Sequence, residues 1–419
     1  MIYNSANGEF SGRTTSDFDP NELVLFLATR DMGGLISLIH SFSFPDRPPW
    51  VEAGFAGNYD TNLTLTVDAA VKARGFRRYG VDVRQGDSQV KVHLGGNREF
   101  VALYPLVVAN NGGSAELNLT IDLNTSTVSF IGTGNADPRD IMRAIDPVTR
   151  DFLNDYHIGG PVKYSARGFL NVTNLDSCNI EVTAEAKSFG LPQFVADECS
   201  FEFRRTGRLT VVSNLQARIF GGTIAATIAL EPISISTNIY FRANGTADKV
   251  SFKDFARALT GRNNLPEGLV GELSGNINIE GMFEKGMEHT MNGTGNVKIR
   301  DGNLFQLPLF GQLSEMLARK IPGLGYVLRQ DDASGSFNII RGSVQTDALR
   351  IEGDILSLKA EGNYDIPSNQ LAFDVELRFL RNKTWVGEVL QTILLPVTKL
   401  FRVRLKGSLD KPGWSSVNF

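Results

Sequence analysis

Apolar and polar residues alternate along most of this chain. In Ala115–Leu123 the apolar positions Leu117, Leu119, Ile121 and Leu123 are separated by Asn118, Thr120 and Asp122. The same alternation occurs at Leu63-Leu65-Val67, Val90-Val92-Leu94, Ile277-Ile279, Val297-Ile299, Phe337-Ile339 and Phe373-Val375-Leu377. Successive side chains of a strand point to opposite faces, so each segment predicts a strand with one apolar and one wetted face. Turn-forming clusters recur at Asn124-Thr125-Ser126, Thr206-Gly207-Arg208, Arg341-Gly342-Ser343 and Pro367-Ser368-Asn369. The pattern predicts a mainly β fold, a meander of antiparallel hairpins.

Helical periodicity breaks in at a few places. Three predicted helices start alike, at Asp19-Pro20-Asn21-Glu22, Asp137-Pro138-Arg139-Asp140 and Ser251-Phe252-Lys253-Asp254. Each has an Asp or Ser cap followed three residues later by an acid, and two have Pro at the first helical position. Apolar stripes follow at Leu23/Phe26/Leu27, Ile141/Ile145 and Phe255/Leu259, and a Gly-bearing strand comes after each. The starts lie 118 and 114 residues apart, which predicts an internal repeat of a capped helix plus several strands. Residues 1–135 form the first repeat, with an early helix at 18–41, and residues 136–249 the second. The third division is 250–419. It carries two amphipathic helices, at 306–321 (Leu309, Leu313, Met316, Leu317) and 386–401 (Val389, Leu390, Ile393, Val397). Both are expected to cover part of a sheet.

Composition narrows the chemistry. The 419 residues carry 42 Lys+Arg against 46 Asp+Glu, a net charge of −4, which argues against a nucleic-acid binder. The four His and two Cys show no metal-ligand spacing, and no nucleophile elbow, phosphate loop or zincin motif is present. The chain is therefore read as non-catalytic, with no metal and no cofactor. Gly, at 42 residues, and Phe, at 27 against 9 Tyr and 3 Trp, are both enriched. The basic run Arg74-Gly75-Phe76-Arg77-Arg78-Tyr79 reads as a solvated hairpin edge or as a contact for anionic head groups. Glu202-Phe203-Arg204-Arg205 reads the same way. Cys178 and Cys199 flank an expected turn at Ser188–Pro192. They are expected either to face each other as a disulfide in an oxidising compartment or to remain two buried thiols. No leader peptide and no apolar span of membrane length is evident, so any export signal or anchor is expected upstream of Met1.

Several runs resemble the AsmA-like family of bacterial envelope proteins. Ser213–Ile224, with its Ala217-Arg218-Ile219-Phe220-Gly221-Gly222 core, is similar to a strand pair of that family. Gly295–Leu304 with Leu307-Pro308-Leu309-Phe310, Ala333–Ile339 leading to Val344–Ile351, and Val403–Trp414 are similar to its C-terminal region. The close part of the likeness spans Leu170–Trp414, so the third division corresponds to an AsmA-like C-terminal region. The resemblance, which extends to TamB-like proteins, implies long curved antiparallel sheets of repeated hairpins. These would form an open or partly closed apolar groove with a few amphipathic capping helices. It also implies a role: anchored to the inner membrane, such proteins extend through the periplasm of a Gram-negative-type envelope. They shield or pass phospholipid acyl chains towards the outer membrane and support its biogenesis. The membrane helix usual in the family is missing from this sequence, and other envelope proteins are the remaining implied partners.

Alternation on the third division assigns the expected lining to Ile277, Ile279, Val297, Ile299, Phe337, Ile339, Leu349, Ile351, Leu356, Leu358, Phe373 and Val375. A closed sandwich would bury these positions against a second sheet, whereas an open groove would leave part of them for acyl chains. The first outcome would make the chain a structural or interaction scaffold with no lipid cargo.

Overall fold

The computed structural model describes the chain except residues 1, 5–6, 24–35, 37–38, 60–63, 146–153, 234–237, 262–264, 284–285, 321–330, 354–355, 380–400 and 418–419. It is mainly β, and the chain divides into two compact units, Met1–Thr210 and Val211–Phe419.

The first unit runs β1 (Ile2–Asn4), β2 (Glu9–Ser16), β3 (Phe42–Ser43), β4 (Trp50–Asn58), β5 (Thr64–Arg78), β6 (Val81–Leu94), β7 (Phe100–Asn110), β8 (Gly113–Asp122) and β9 (Thr127–Ala136). Helix α1 (Pro138–Ile145) follows, then β10 (His157–Ile158), β11 (Val162–Asn171), β12 (Cys178–Leu191) and β13 (Phe194–Thr206). All the pairings are antiparallel, and each long strand pairs with the next long strand in the chain.

Strand β14 (Leu209–Ile219) carries the chain into the second unit. There β15 (Gly222–Pro232), β16 (Ile239–Ser251), β17 (Glu272–Phe283), β18 (Asn292–Arg300), β19 (Asp331–Ile340), β20 (Ser343–Gly353), β21 (Leu356–Asp365), β22 (Gln370–Phe379), β23 (Phe401–Ser408) and β24 (Pro412–Ser416) form a second meander. Helix α2 (Phe252–Thr260) sits between β16 and β17, and α3 (Gly311–Lys320) between β18 and β19.

The expected caps form. Asp19 Oδ1 accepts from Asn21 N at 2.9 Å and Asp137 Oδ1 from Arg139 N at 2.9 Å. Ser251 Oγ accepts from Asp254 N at 3.3 Å. The first of these heads a short 3-10 turn, Pro20–Leu23, and residues 24–35 of the expected early helix lie outside the described residues. The expected helix at 306–321 begins later, at Gly311, after two 3-10 turns. Pro308 explains the delay. It forces Leu307 into an extended backbone (φ −59°, ψ 139°), and a helix cannot run through that residue.

The repeat has a strand-level basis. The insertions opening at Asp137 and Ser251 are separated by six long strands, β11–β16, and β4–β9 make a preceding set of six. After the first two insertions, a two-residue strand pairs with the second long strand ahead: β3 with β5 and β10 with β12. In the third, Asn303 Nδ2 donates to Gly268 O at 2.9 Å and ties the insertion to the end of β18. The expected boundaries after residues 135 and 249 lie near the ends of β9 and β16 and differ from the division between the compact units, which falls at Thr210/Val211.

Glycine and aromatic residues oppose one another across neighbouring strands at Phe10–Gly57, Gly12–Phe55, Gly134–Tyr164, Phe241–Gly281 and Gly295–Phe337. At Gly12, Gly57, Gly134 and Gly295 the ring occupies the space a Cβ would take, and at Gly281 the Phe241 ring stands 3.1 Å from it. A Cβ on Gly12 would lie 2.5 Å from the Phe55 ring and one on Gly295 2.5 Å from Phe337. The ring shields a strand glycine that has no side chain of its own to pack. Gly12 is the simplest test, because only the Phe55 ring stands in the way. Gly12→Ala should destabilise the protein by about 1–3 kcal/mol through overpacking. In urea unfolding, the double variant with Phe55→Ala should cost less than the sum of the two single changes.

Candidate functional site

Register brings all twelve expected lining residues to one face of the second unit. Ile277 opposes Gly295, which opposes Phe337, and Ile299 opposes Ala333, which opposes Ile351. Ile351 in turn opposes Leu358, and Ala360 opposes Val375. The other face carries the charges, including Arg402–Glu376 (3.0 Å), Arg404–Asp374 (2.7 Å) and Arg242–Glu280 (3.4 Å).

The apolar face is covered unevenly. Leu304, Phe305, Phe310 and Leu313, from the insertion that contains α3, pack onto Leu273, Ile299, Ile351, Leu356, Leu358, Val375, Leu377 and Val403. Leu309 and Met316 pack at the margin of this cluster. Trp414 of β24 fastens the plug from the far side, donating from Nε1 to Leu309 O at 2.7 Å and stacking near Phe310. Leu317 lies on α3, but its side chain is outside the described residues, as are Val389, Leu390, Ile393 and Val397 of the second expected covering helix.

Five of the expected lining residues, Ile299, Ile351, Leu356, Leu358 and Val375, are thus interior to a plugged core, and Val297, Leu349 and Phe373 border it. Ile339 is buried away from the plug. Ile277, Ile279 and Phe337 remain half-buried beyond that cluster.

Beside them lies a feature absent from the sequence reading. The small residues Ala243, Gly245 and Ala247 of β16 run between Ile224 and Ile228 of β15 on one side and Ile277 and Ile279 of β17 on the other. All are half-buried. The result is a shallow furrow along β16 with a floor of small residues and walls of isoleucine. Its walls stand two strand spacings apart, about 9.6 Å. Over β18 the equivalent floor is filled at Gly295 by the Phe337 ring. The signal was present in the sequence as Gly and Ala at apolar-phase positions, but only register shows which strands flank them.

The first unit has a similar apolar face and less cover. Leu117, Leu119 and Ile121 of β8 oppose Leu106, Leu103 and Val101 of β7, and Phe130 and Val128 of β9 lie on the other side. Every one of these is half-buried and none is buried, and the described residues place no second layer over them. Among the described residues one local core gathers Ala73, Phe76 and Val83, with Phe42, Phe44 and Val108 packed around them.

The basic run is largely neutralised from within. Arg74 pairs with Asp87 and Arg77 with Asp82 (2.6 Å), while Arg78 stacks on Phe42 (5.0 Å) and Tyr79 (5.6 Å). Arg204 pairs with Glu181 at 3.4 Å. Among the described residues no group of His, Cys, Asp and Glu is arranged to hold a metal, and no helix is long and apolar enough to cross a membrane.

The expected facing of Cys178 and Cys199 does not occur. The β12–β13 turn falls at Pro192-Gln193, later than the expected Ser188–Pro192, so Cys199 opposes Ala186 while Cys178 Sγ approaches Gly207 O at 3.4 Å. Residues 178 and 186 stand about 27 Å apart along β12, far beyond the ~7 Å Cα separation a disulfide allows. Both thiols are free and buried, and burial raises the pKa of Cys199. Less thiolate is then present at neutral pH, so maleimide should label Cys199 slowly in the native protein and faster as pH rises. Two thiols should titrate in denaturant without reductant.

No family model, curated protein or solved structure matches the chain.

Proposed function

We propose that this chain is a non-catalytic carrier that shields phospholipid acyl chains from water on the apolar faces of its sheets. The observation that carries the reading is the half-exposed stripe of β7, β8 and β9, continuous from strand to strand and uncovered among the described residues. A soluble protein leaving such a face open exposes more apolar surface than solubility favours, unless that surface has an occupant. The furrow along β16 suits a single acyl chain, since its floor offers no polar side chain. The resemblance to AsmA-like and TamB-like proteins supports the same assignment. On this reading the chain works in the periplasm, attached to the inner membrane through an upstream anchor, and serves outer-membrane biogenesis.

A second reading is favoured by the plug. Because α3 and its neighbouring turns bury five of the expected lining positions, the second unit covers much of its own apolar face. On this reading the chain is a β-scaffold for other envelope proteins and holds no lipid.

Native mass spectrometry with lipid extraction separates the two, since co-purifying phospholipid supports the carrier and a lipid-free chain that binds no apolar dye supports the scaffold. Gly245→Leu is the informative variant. A Cβ there meets nothing closer than Ile277 Cγ2 at 3.7 Å, so the side chain should fill the furrow while the melting temperature stays near wild type. Lipid occupancy of the second unit should fall. Ile351→Asp, by contrast, places a charge in the plugged core, where Ile351 is 4% exposed. It should unfold the second unit, costing more than about 3 kcal/mol whether or not lipid is bound.

A further inference from the structure

The hairpins of the first unit end differently at the two ends of the sheet. At one end sit the insertions after β2 and β9, with Tyr79 and Leu191 (41% and 49% exposed) at separate hairpin tips between them and beyond. At the other, three successive tips, joining β6 to β7, β8 to β9 and β11 to β12, carry Leu94 (37% exposed), Leu123 (43%), Val172 (56%) and Leu175 (60%). Leu94, Leu123 and Val172 extend the alternation of Val92, Ile121 and Leu170, so the apolar face runs out to this edge and ends there in exposed side chains.

The tips are tied to one another. Leu123 N donates to Glu99 O (2.9 Å) and Glu99 N to Asn124 Oδ1 (2.6 Å). Val172 N donates to Ser126 O (2.9 Å) and Asn171 Nδ2 to Thr125 O (2.8 Å). The turns are also braced internally, Asn171 Oδ1 accepting from Thr173 N and Asn174 N at 2.9 Å each. The edge is therefore an ordered rim, and little further ordering would be lost on binding.

We propose that this rim is a membrane-contacting mouth: its apolar side chains enter the surface of a zwitterionic phospholipid bilayer, and acyl chains pass across it onto the apolar face. What crosses the rim rests on the carrier reading above; the contact itself does not. Two features favour a bilayer over a protein partner. The apolar side chains are separated by polar turn residues such as Asn124, Thr125, Thr173 and Asn174, and successive tips are two strand spacings, about 9.6 Å, apart. Such a series of separate anchors lacks the contiguous desolvated centre of a protein interface, but each can insert into lipid independently. The charged tip residues also have internal partners, Glu99 accepting from Gly95 N, Asp176 lying 3.8 Å from Arg208, and Arg98 stacking on Phe100. No basic excess therefore selects anionic lipid.

Flotation of the full chain with extruded phosphatidylcholine vesicles tests the contact. Wild type should float, with little dependence on salt. The triple variant Leu94→Ser, Leu123→Ser, Leu175→Ser should float at least about tenfold less, since each buried leucine contributes on the order of a tenfold change in partitioning. Its far-ultraviolet circular dichroism and urea midpoint should match wild type, since the three leucines are exposed. Failure of wild type to float, or flotation of the variant at the wild-type level, overturns the proposal. Failure of wild type to take up monomeric lysophosphatidylcholine from solution sinks the carrier reading instead and leaves flotation to decide the rim. Depth gives a second measure that does not depend on loss of binding. Leu123→Trp fluorescence should be quenched by brominated phosphatidylcholine and Leu191→Trp, at the opposite end of β12, should not; equal quenching at both, or at neither, counts against the rim.

Discussion

In both units the apolar stripe of each strand meets the apolar stripe of the next, because antiparallel register keeps alternate residues in phase across the sheet. That phase relation creates one apolar face per unit, and the rest of the structure follows from how the face is treated. A sandwich would lay a second sheet over it. Here the described residues supply local cover: the plug around Phe310 and Leu313 in the second unit, and in the first the Phe42–Phe44–Phe76 cluster and the stacking of Tyr156 on Phe189. Elsewhere the face mixes buried positions such as Ile219, Phe241 and Ile339 with half-buried ones such as Leu117, Leu119 and Ile277.

The cover enters through insertions that share one end of the strands within each unit, after β2 and β9 in the first and after β16 and β18 in the second. Placing helical segments between paired strands leaves the ladder intact. β2 still pairs with β4, β9 with β11, and β16 with β17. The sheet can thus be extended in sets of six strands without altering its hydrogen bonding, and the face can be closed locally where an insertion carries enough apolar residues. The insertion at Gly302–Lys320 does, with Leu304, Phe305, Phe310 and Leu313 all buried. Helix α2 contributes only partly buried Phe252 and Phe255 to the margin of the same cluster.

The wetted faces pair charges across strands. Lys163–Glu185, Arg167–Glu181 and Arg204–Glu181 line the first unit, and Arg402–Glu376 and Arg404–Asp374 the second. Each such exposed pair contributes little to stability, typically below about 1 kcal/mol. Their effect is to specify register and to discourage the polar face from packing against another sheet.

The sequence by itself determined the strand class, the shared face of all twelve lining positions and the caps at Asp19, Asp137 and Ser251. These depend on period-two alternation and on side-chain-to-backbone hydrogen bonds within a few residues, both of which are local. It also located the insertions, since a capped start and a helical stripe are visible without any long-range contact. It did not determine the position of the β12–β13 turn, and an error of a few residues there separated Cys178 from Cys199 by eight positions, because a shift at a turn is doubled across the hairpin. Nor could it distinguish Ile277 from Ile351, which share a face and an alternation pattern. Tertiary structure alone decided that one would lie under Phe310 and Leu313 and the other beside a floor of Gly245 and Ala243. Burial on a sheet face depends on what the chain brings back from tens of residues away, and alternation carries no record of it.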